Sequence, residues 1–262
     1  MKYSACIEML FQESPFIERI QSAKEAGFQA VEFWLWQPKD LPAIKEALDK
    51  TGLSVAIFQG NMEGRMIDPA DHDIYVQGVK KSLEAAKLLG TKTLFLMTDI
   101  LKEDRTVLEP STPISPEDRL SAVKRVLIAL KPLAEAAGVT LVIEPLNILV
   151  DHKGYYLHHS APAFALVREI NSPNIKVLYD IYHMQIMEGN IIQTLQQNQD
   201  AIGYIHIADV PGRLQPGTGE INYGNVFKVL RELGYDGIVG FEFEPDGASE
   251  KVVAQVFREI SK

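Results

Sequence analysis

Eight short apolar runs alternate with amphipathic segments along this chain of 262 residues. No other feature constrains its fold as strongly. The runs are YSACIEM, AVEFWLW, LSVAIFQ, KTLFLMT, VTLVIEP, IKVLYDI, GYIHIAD and GIVGFEF. Each is mostly apolar on both faces, as a strand covered on both sides requires. Between them lie SPFIERIQSAKEAG, DLPAIKEALDKTG, VQGVKKSLEAAKLLG, SPEDRLSAVKRVLIALKPLAEAAG and NVFKVLRELG. Several of these start at Ser-Pro or Asp-Leu-Pro and stop at Gly27, Gly52, Gly90, Gly138 or Gly234, the asymmetry expected of helix ends. The unit of strand, turn, helix and glycine recurs about every 33 residues, 262 divided by eight. Right-handed crossovers of eight such units close into an α/β fold of the (β/α)8 or TIM barrel type, a single domain over residues 1–262. An open doubly wound sheet is the alternative. It lacks its usual sign here, because EMLFQESP follows the first strand in place of a glycine-rich phosphate turn.

Four of the later runs end in residues able to ligate a metal: Glu144, Asp180, His206 and Glu242, separated by 36, 26 and 36 residues. A charged group closing an apolar strand is costly in a core but economical at the C-terminal rim of a parallel barrel. Taken singly, Glu144 reads as a capping carboxylate, Asp180 as a helix N-cap and His206 as a core histidine. Their coincidence at matched positions on strands five to eight favours a shared site. Glu244, on the same strand face as Glu242, reads as a rim residue, and Asp209 as a weaker alternative ligand on strand seven. Three carboxylates with one imidazole suit Mn²⁺ or Mg²⁺ and tolerate Co²⁺ or Zn²⁺. Such an ion grips the adjacent oxygens of an α-hydroxycarbonyl compound and stabilises the enediolate left when the α-proton departs. Glu144 and Glu242, opposed, are the expected acid/base pair that removes and returns that proton.

Further candidates flank these. His183, three residues after Asp180, is placed to bond a substrate oxygen or orient a carboxylate. Arg213, in VPGRLQPG, is placed to anchor a carboxylate, and Arg65 is a weaker candidate of the same kind. His158, His159, Tyr155 and Tyr156 read as loop residues that could line a pocket. Trp34 and Trp36 end strand two as an apolar wall or an interface. Three long connections follow strands three, four and five: NMEGRMIDPADHD, TDILKEDRTVLEPSTPISPED and NILVDHKGYYLHHSAP. Loops of that length serve as lids or substrate walls. The net charge of −9 offers no attraction to nucleic acid or an anionic membrane. One cysteine, Cys6, precludes an internal disulfide. MKYSACIEML reads as a strand in preference to a signal peptide, and no apolar run reaches membrane-spanning length. The expected compartment is cytoplasmic.

The segments PFIERIQSAKEAGFQAVEFW, IEPLN with GYYLHHSAPAFALV, YDIYHMQIMEGNI, IGYIHIADVPGRLQPGTGEINY and GYDGIVGFEFEP resemble, in order, the hydroxypyruvate isomerase family within the xylose isomerase-like sugar isomerase/epimerase barrels. The resemblance implies one divalent metal held by Glu144, Asp180, His206 and Glu242. It implies Glu144 and Glu242 as acid and base, and His183 and Arg213 as substrate-binding residues. Many members carry Gln at the place of His206 and a basic residue at the place of Glu244; a histidine there is the choice of the ketose 3-epimerases. The function implied is isomerisation of a small hydroxy-oxo acid, of the hydroxypyruvate to tartronate semialdehyde kind. A ketose 3-epimerase is the second expectation, and a lyase of the inosose dehydratase kind the third. The expected partner is a small molecule, with no nucleic acid and no membrane; a homo-oligomer is compatible with barrels of this kind. An apurinic endonuclease, which shares the barrel type, would need a basic face that this chain lacks.

Overall fold

A computed structural model describes residues 1–61 and 63–261; Met62, in the first of the long connections, and Lys262 lie outside the described residues. The strands are β1 (Lys2–Cys6), β2 (Ala30–Glu32), β3 (Ser54–Val55), β4 (Ile57–Gln59), β5 (Thr93–Leu96), β6 (Thr140–Ile143), β7 (Ile175–Asp180), β8 (Ile202–Ile207) and β9 (Ile238–Phe241). All their pairings are parallel, in the order β3-β2-β1-β9-β8-β7-β6-β5-β4. The two strands at the ends of that order are halves of one segment, parted only at Ala56, whose N–H reaches Val31 O at 2.8 Å. The sheet therefore closes into a barrel of eight staves, and the expected third strand is present with a break in it.

Helices α1 (Glu18–Glu25), α2 (Leu41–Thr51), α3 (His72–Leu89), α4 (Pro116–Ala137), α5 (Ser160–Ile170), α6 (Ile181–Met187), α7 (Ile191–Asn198), α8 (Tyr223–Glu232) and α9 (Ser249–Ile260) form the outer ring. The longest, α4, shows its sequence logic at both ends. Ser115 accepts from Asp118 N at 3.1 Å and Pro116 fills the first turn. Gly138 stops it in the left-handed conformation, φ 60°. The first helix begins at Glu18, later than its Ser-Pro signal, and β7 is followed by two helices where one was expected. No helix among the described residues is long and apolar enough to cross a membrane.

Two apolar layers hold the barrel. The larger lies between staves and helices. The smaller fills the barrel itself: Ala30, Ala56, Ile57, Phe95, Val142, Leu178 and Tyr204. Burying each large side chain contributes roughly 1.5–3 kcal/mol. This plug is the floor on which the polar side chains of the C-terminal rim stand.

Candidate metal and active site

Glu144 follows β6, Asp180 and His206 lie on β7 and β8, and Glu242 follows β9. Register sets Asp180 level with His206, and Glu242 lies two residues beyond Gly240, the partner of His206. All four are buried, and one donor atom from each lies within 4.8 Å of the others. His206 Nδ1 is 3.2 Å from Glu242 Oε2 and 3.7 Å from Glu144 Oε1, yet it makes no in-line hydrogen bond. A buried imidazole nitrogen without such a bond, facing carboxylates, fits a divalent cation. Asp180 is the N-cap that its sequence allowed, and its second oxygen turns toward the cluster. Its Oδ1 accepts from Tyr182 N (2.8 Å) and His183 N (3.3 Å) as the cap of α6, while Oδ2 faces His183 Nε2 at 3.5 Å and Arg213 at 3.9 Å.

Glu242 is the most tightly held of the four. Trp34 Nε1 donates to its Oε1 at 2.7 Å, and Arg213 Nη2 donates to its Oε2 at 2.6 Å. Arg213 also stacks over the ring of Tyr182, 5.3 Å to the centroid, and keeps a buried Nε with no partner. Its loop is tied down by Asp209. Val210 N and Ile221 N donate to Oδ1 at 2.9 and 3.1 Å. Gly217 N, Thr218 N and Gly219 N donate to Oδ2 at 2.8, 3.2 and 2.9 Å. Asp209 is therefore a loop anchor and stands outside the ligand cluster.

The tautomer of His183 follows from its neighbour. Asn147 Oδ1 accepts from Val150 N and Asp151 N, both at 3.0 Å, which fixes the orientation of the amide. Its Nδ2 then donates to Asp151 Oδ2 and His183 Nδ1, each at 2.7 Å, and its backbone N approaches the same ring nitrogen at 3.3 Å. With Nδ1 an acceptor, the proton sits on Nε2. Burial, with Arg213 and His152 adding to it, holds His183 well below the usual imidazole value, so the ring is neutral.

The protein groups push the two glutamates apart. Burial raises Glu144 to about 7, against the downward pull of His206. Burial also acts upward on Glu242, but His206, Arg213 and Trp34 together hold it well below the usual carboxylate range. Burial raises Asp180 to about 6, with Arg213 and His206 opposing. His206, despite burial, is held well above the usual imidazole value by Glu242 and Glu32.

Glu144, Glu242, His183 and Arg213 face a cavity of about 510 Å³ walled by Trp34, Phe95, Met97 and Leu146. Its far side is a hairpin that the sequence did not reveal. Leu101 pairs antiparallel with Val107, and Lys102, Glu103 and Arg105 turn toward the opening. Arg105 lies 3.9 Å from both Asp151 and Glu244. Other candidates stand elsewhere. Arg65 binds Asp71 at 2.8 Å and Leu108 O at 3.0 Å. His158 turns to Tyr155 O and His159 to Glu188, while Tyr155 braces Thr98 N and Glu144 O from behind. Trp34 is a cavity wall; Trp36 binds Ser82 Oγ at 2.8 Å against α3. Glu244 is an exposed rim residue. Two contributors were missed: the indole donor of Trp34, and Glu32, whose carboxylate inside the apolar run AVEFW was the available signal.

Residues 20–260 match the family described as the xylose isomerase-like TIM barrel. A 2-oxo-tetronate isomerase of Cupriavidus necator is 31% identical over 251 residues, 93% of each chain. A hydroxypyruvate isomerase of Escherichia coli is 32% identical over 257 residues, 95% of this chain and 96% of its own. Among solved structures, one described as an AP endonuclease, family 2, from Brucella melitensis aligns with a TM-score of 0.88 at 28% identity, over 98% of each chain.

Proposed function

Because this chain belongs to the xylose isomerase-like TIM barrels, and within them to the hydroxypyruvate isomerases, we propose that it interconverts the ketone and aldehyde forms of a small hydroxy-oxo acid. Hydroxypyruvate and tartronate semialdehyde are one such pair, and four-carbon 2-oxo acids the next. The carrying observation is that Glu144 and Glu242 converge on one cavity, with donor atoms within 4.8 Å of each other and of Asp180 and His206.

In this reading Glu144, Asp180, His206 and Glu242 hold one divalent cation, Mn²⁺ or Mg²⁺. The cation, when bound, polarises the carbonyl and offsets the charge of the enediolate. Glu242 takes the proton from the carbon that bears the hydroxyl, and the C–H electron pair becomes the enediolate double bond. Glu144 delivers a proton to the neighbouring carbon, while the former hydroxyl oxygen gives up its proton to become the new carbonyl and the former carbonyl oxygen takes one up to become the new hydroxyl. On the return reaction the roles reverse. His183 donates from Nε2 to a substrate oxygen as a neutral group. Arg213, through its unpartnered Nε, meets the substrate carboxylate, with Lys102 and Arg105 adding positive charge at the opening. Trp34, Met97 and Leu146 keep water from the enediolate.

His206 favours a second reading. An imidazole at this place is the choice of the ketose 3-epimerases, and the same two carboxylates would serve inversion at C3. The test is α-proton exchange with solvent deuterium, followed by NMR after chelation and return of Mn²⁺. Exchange confined to hydroxypyruvate, tartronate semialdehyde and four-carbon oxo acids is the expected result. Exchange on ketoses with inversion at C3 would select the epimerase. No exchange on any of them, with metal bound, would sink both.

A further inference from the structure

Glu32 is a buried carboxylate that the preceding chemistry does not use. It ends β2 and is 2% exposed. It lies inside the barrel beside the apolar plug, where an ionised carboxylate is strongly unfavourable unless paired. Its two oxygens have two partners. Tyr204, itself part of the plug, donates its hydroxyl to Oε2 at 2.5 Å. His206 brings Nε2 to 2.9 Å from Oε1, a close charge contact that, like those of Nδ1, is not an in-line hydrogen bond. Both partners stand two residues apart on β8, while Glu32 comes from β2 with β1 and β9 between them.

Gly240 makes that reach feasible. A Cβ at this position would come within 2.5 and 2.6 Å of the two Glu32 oxygens and 2.7 Å of His206 Cδ2. Gly240 is also the register partner of His206, so any larger residue would force the carboxylate and the ring apart. The opposite ring nitrogen, Nδ1, is the one that faces Glu242 and Glu144. A neutral imidazole carries one proton. In the neutral ring that a cation would bind, a proton kept at Nε2 toward Glu32 leaves the Nδ1 lone pair directed at the carboxylate cluster.

We infer that Glu32 is a positioning residue: by holding Nε2 of His206 it fixes the tautomer and rotation of the ring, so that Nδ1 is presented to a divalent cation beside Glu144, Asp180 and Glu242. The inference rests on the reading that these four residues hold a cation. Ligating histidines generally give their other N–H to a carboxylate, and loss of that carboxylate weakens metal binding about tenfold to a hundredfold.

The test is Mn²⁺ titration of the chelated full chain, with free ion read by electron paramagnetic resonance. No binding by the unaltered protein sinks the four-ligand reading itself. Once binding is established, Glu32→Gln, which keeps a neutral acceptor, is expected to weaken it about tenfold, and Glu32→Ala about a hundredfold. An unchanged affinity in both overturns the inference. In a His206→Gln background the same substitutions are expected to cost nothing further, because no imidazole remains to be held. An equal loss there marks general damage to the barrel and also overturns it. If the variants fail to fold, the unaltered protein carries the test: in Zn²⁺-loaded chain with ¹⁵N-labelled histidine, His206 is expected to bear its proton on Nε2. A proton on Nδ1 overturns the inference.

Discussion

Trp34 and Glu242 meet across the mouth of the barrel, the indole N–H donating to Oε1 at 2.7 Å although 208 residues separate them in sequence. Arg213 holds the other oxygen at 2.6 Å, so both ends of the carboxylate are fixed. Trp34→Phe removes one donor and keeps an aromatic wall. A hydrogen bond to a charged group is worth about 1.5–3 kcal/mol. The expected outcome is a fall in kcat of roughly ten- to a hundredfold with the melting temperature nearly unchanged, measured by steady-state kinetics on hydroxypyruvate and by thermal melting.

Replacing either of the two glutamates proposed as acid and base with its amide separates enzyme from passive binder. Glu144→Gln or Glu242→Gln is expected to lower α-proton exchange by about 10²–10⁴. Exchange and bound Mn²⁺ are measured on the same sample. A variant that keeps the metal and full exchange would remove that residue from proton transfer.

Cation affinity is expected to rise with pH. Burial lifts Glu144 to about 7 and Asp180 to about 6, and His206 is held above its usual value by Glu242 and Glu32 despite burial. A cation and protons compete for these atoms, so binding releases protons and is weakest at low pH. Between pH 6 and 8 a group at about 7 contributes a gain of about tenfold and one at about 6 a gain of about twofold. Mn²⁺ titrations at pH 6, 7 and 8 check the sign, and a flat or falling affinity contradicts it.

Asp209 takes five backbone N–H groups, all from the loop that carries Arg213. Asp209→Ala strands them. The expected cost is about 3 kcal/mol or more, a melting temperature lower by roughly 6–12 °C. KM for an oxo acid is expected to rise as Arg213 loses its placement.

Leu178 is fully buried in the plug beneath the site. Leu178→Ala is expected to cost about 2–5 kcal/mol, read by chemical denaturation, with Mn²⁺ still bound in the folded fraction.

The four clustered residues were legible because a charge that closes an apolar strand has few economical places, and the barrel supplies one. The same signal was present in AVEFW and went unread: Glu32 is explained by Tyr204 and His206, more than 170 residues away, and by the missing side chain of Gly240. YIHIAD offered two candidates on one strand. Only the loop folding back on Asp209 shows that its carboxylate is consumed by backbone donors. Trp34 and Trp36 could not be told apart because β2 ends at Glu32, and strand alternation says nothing beyond it. The hairpin over the cavity depends on the pairing of Leu101 with Val107, which carries no short-range turn signal. The break at Ala56 is equally silent, since the run is apolar from Val55 to Phe58.

The closing seam joins β1 to β9, the first and last strands in chain order, and Phe11 N reaches Ser249 Oγ across it at 2.8 Å. A chain is made from its N-terminus and its early parts begin to fold first. The seam cannot form, and Glu242 cannot join the other three residues, until the last strand has left the ribosome. Until β9 has been made, the proposed cation site therefore has only three of its four donors.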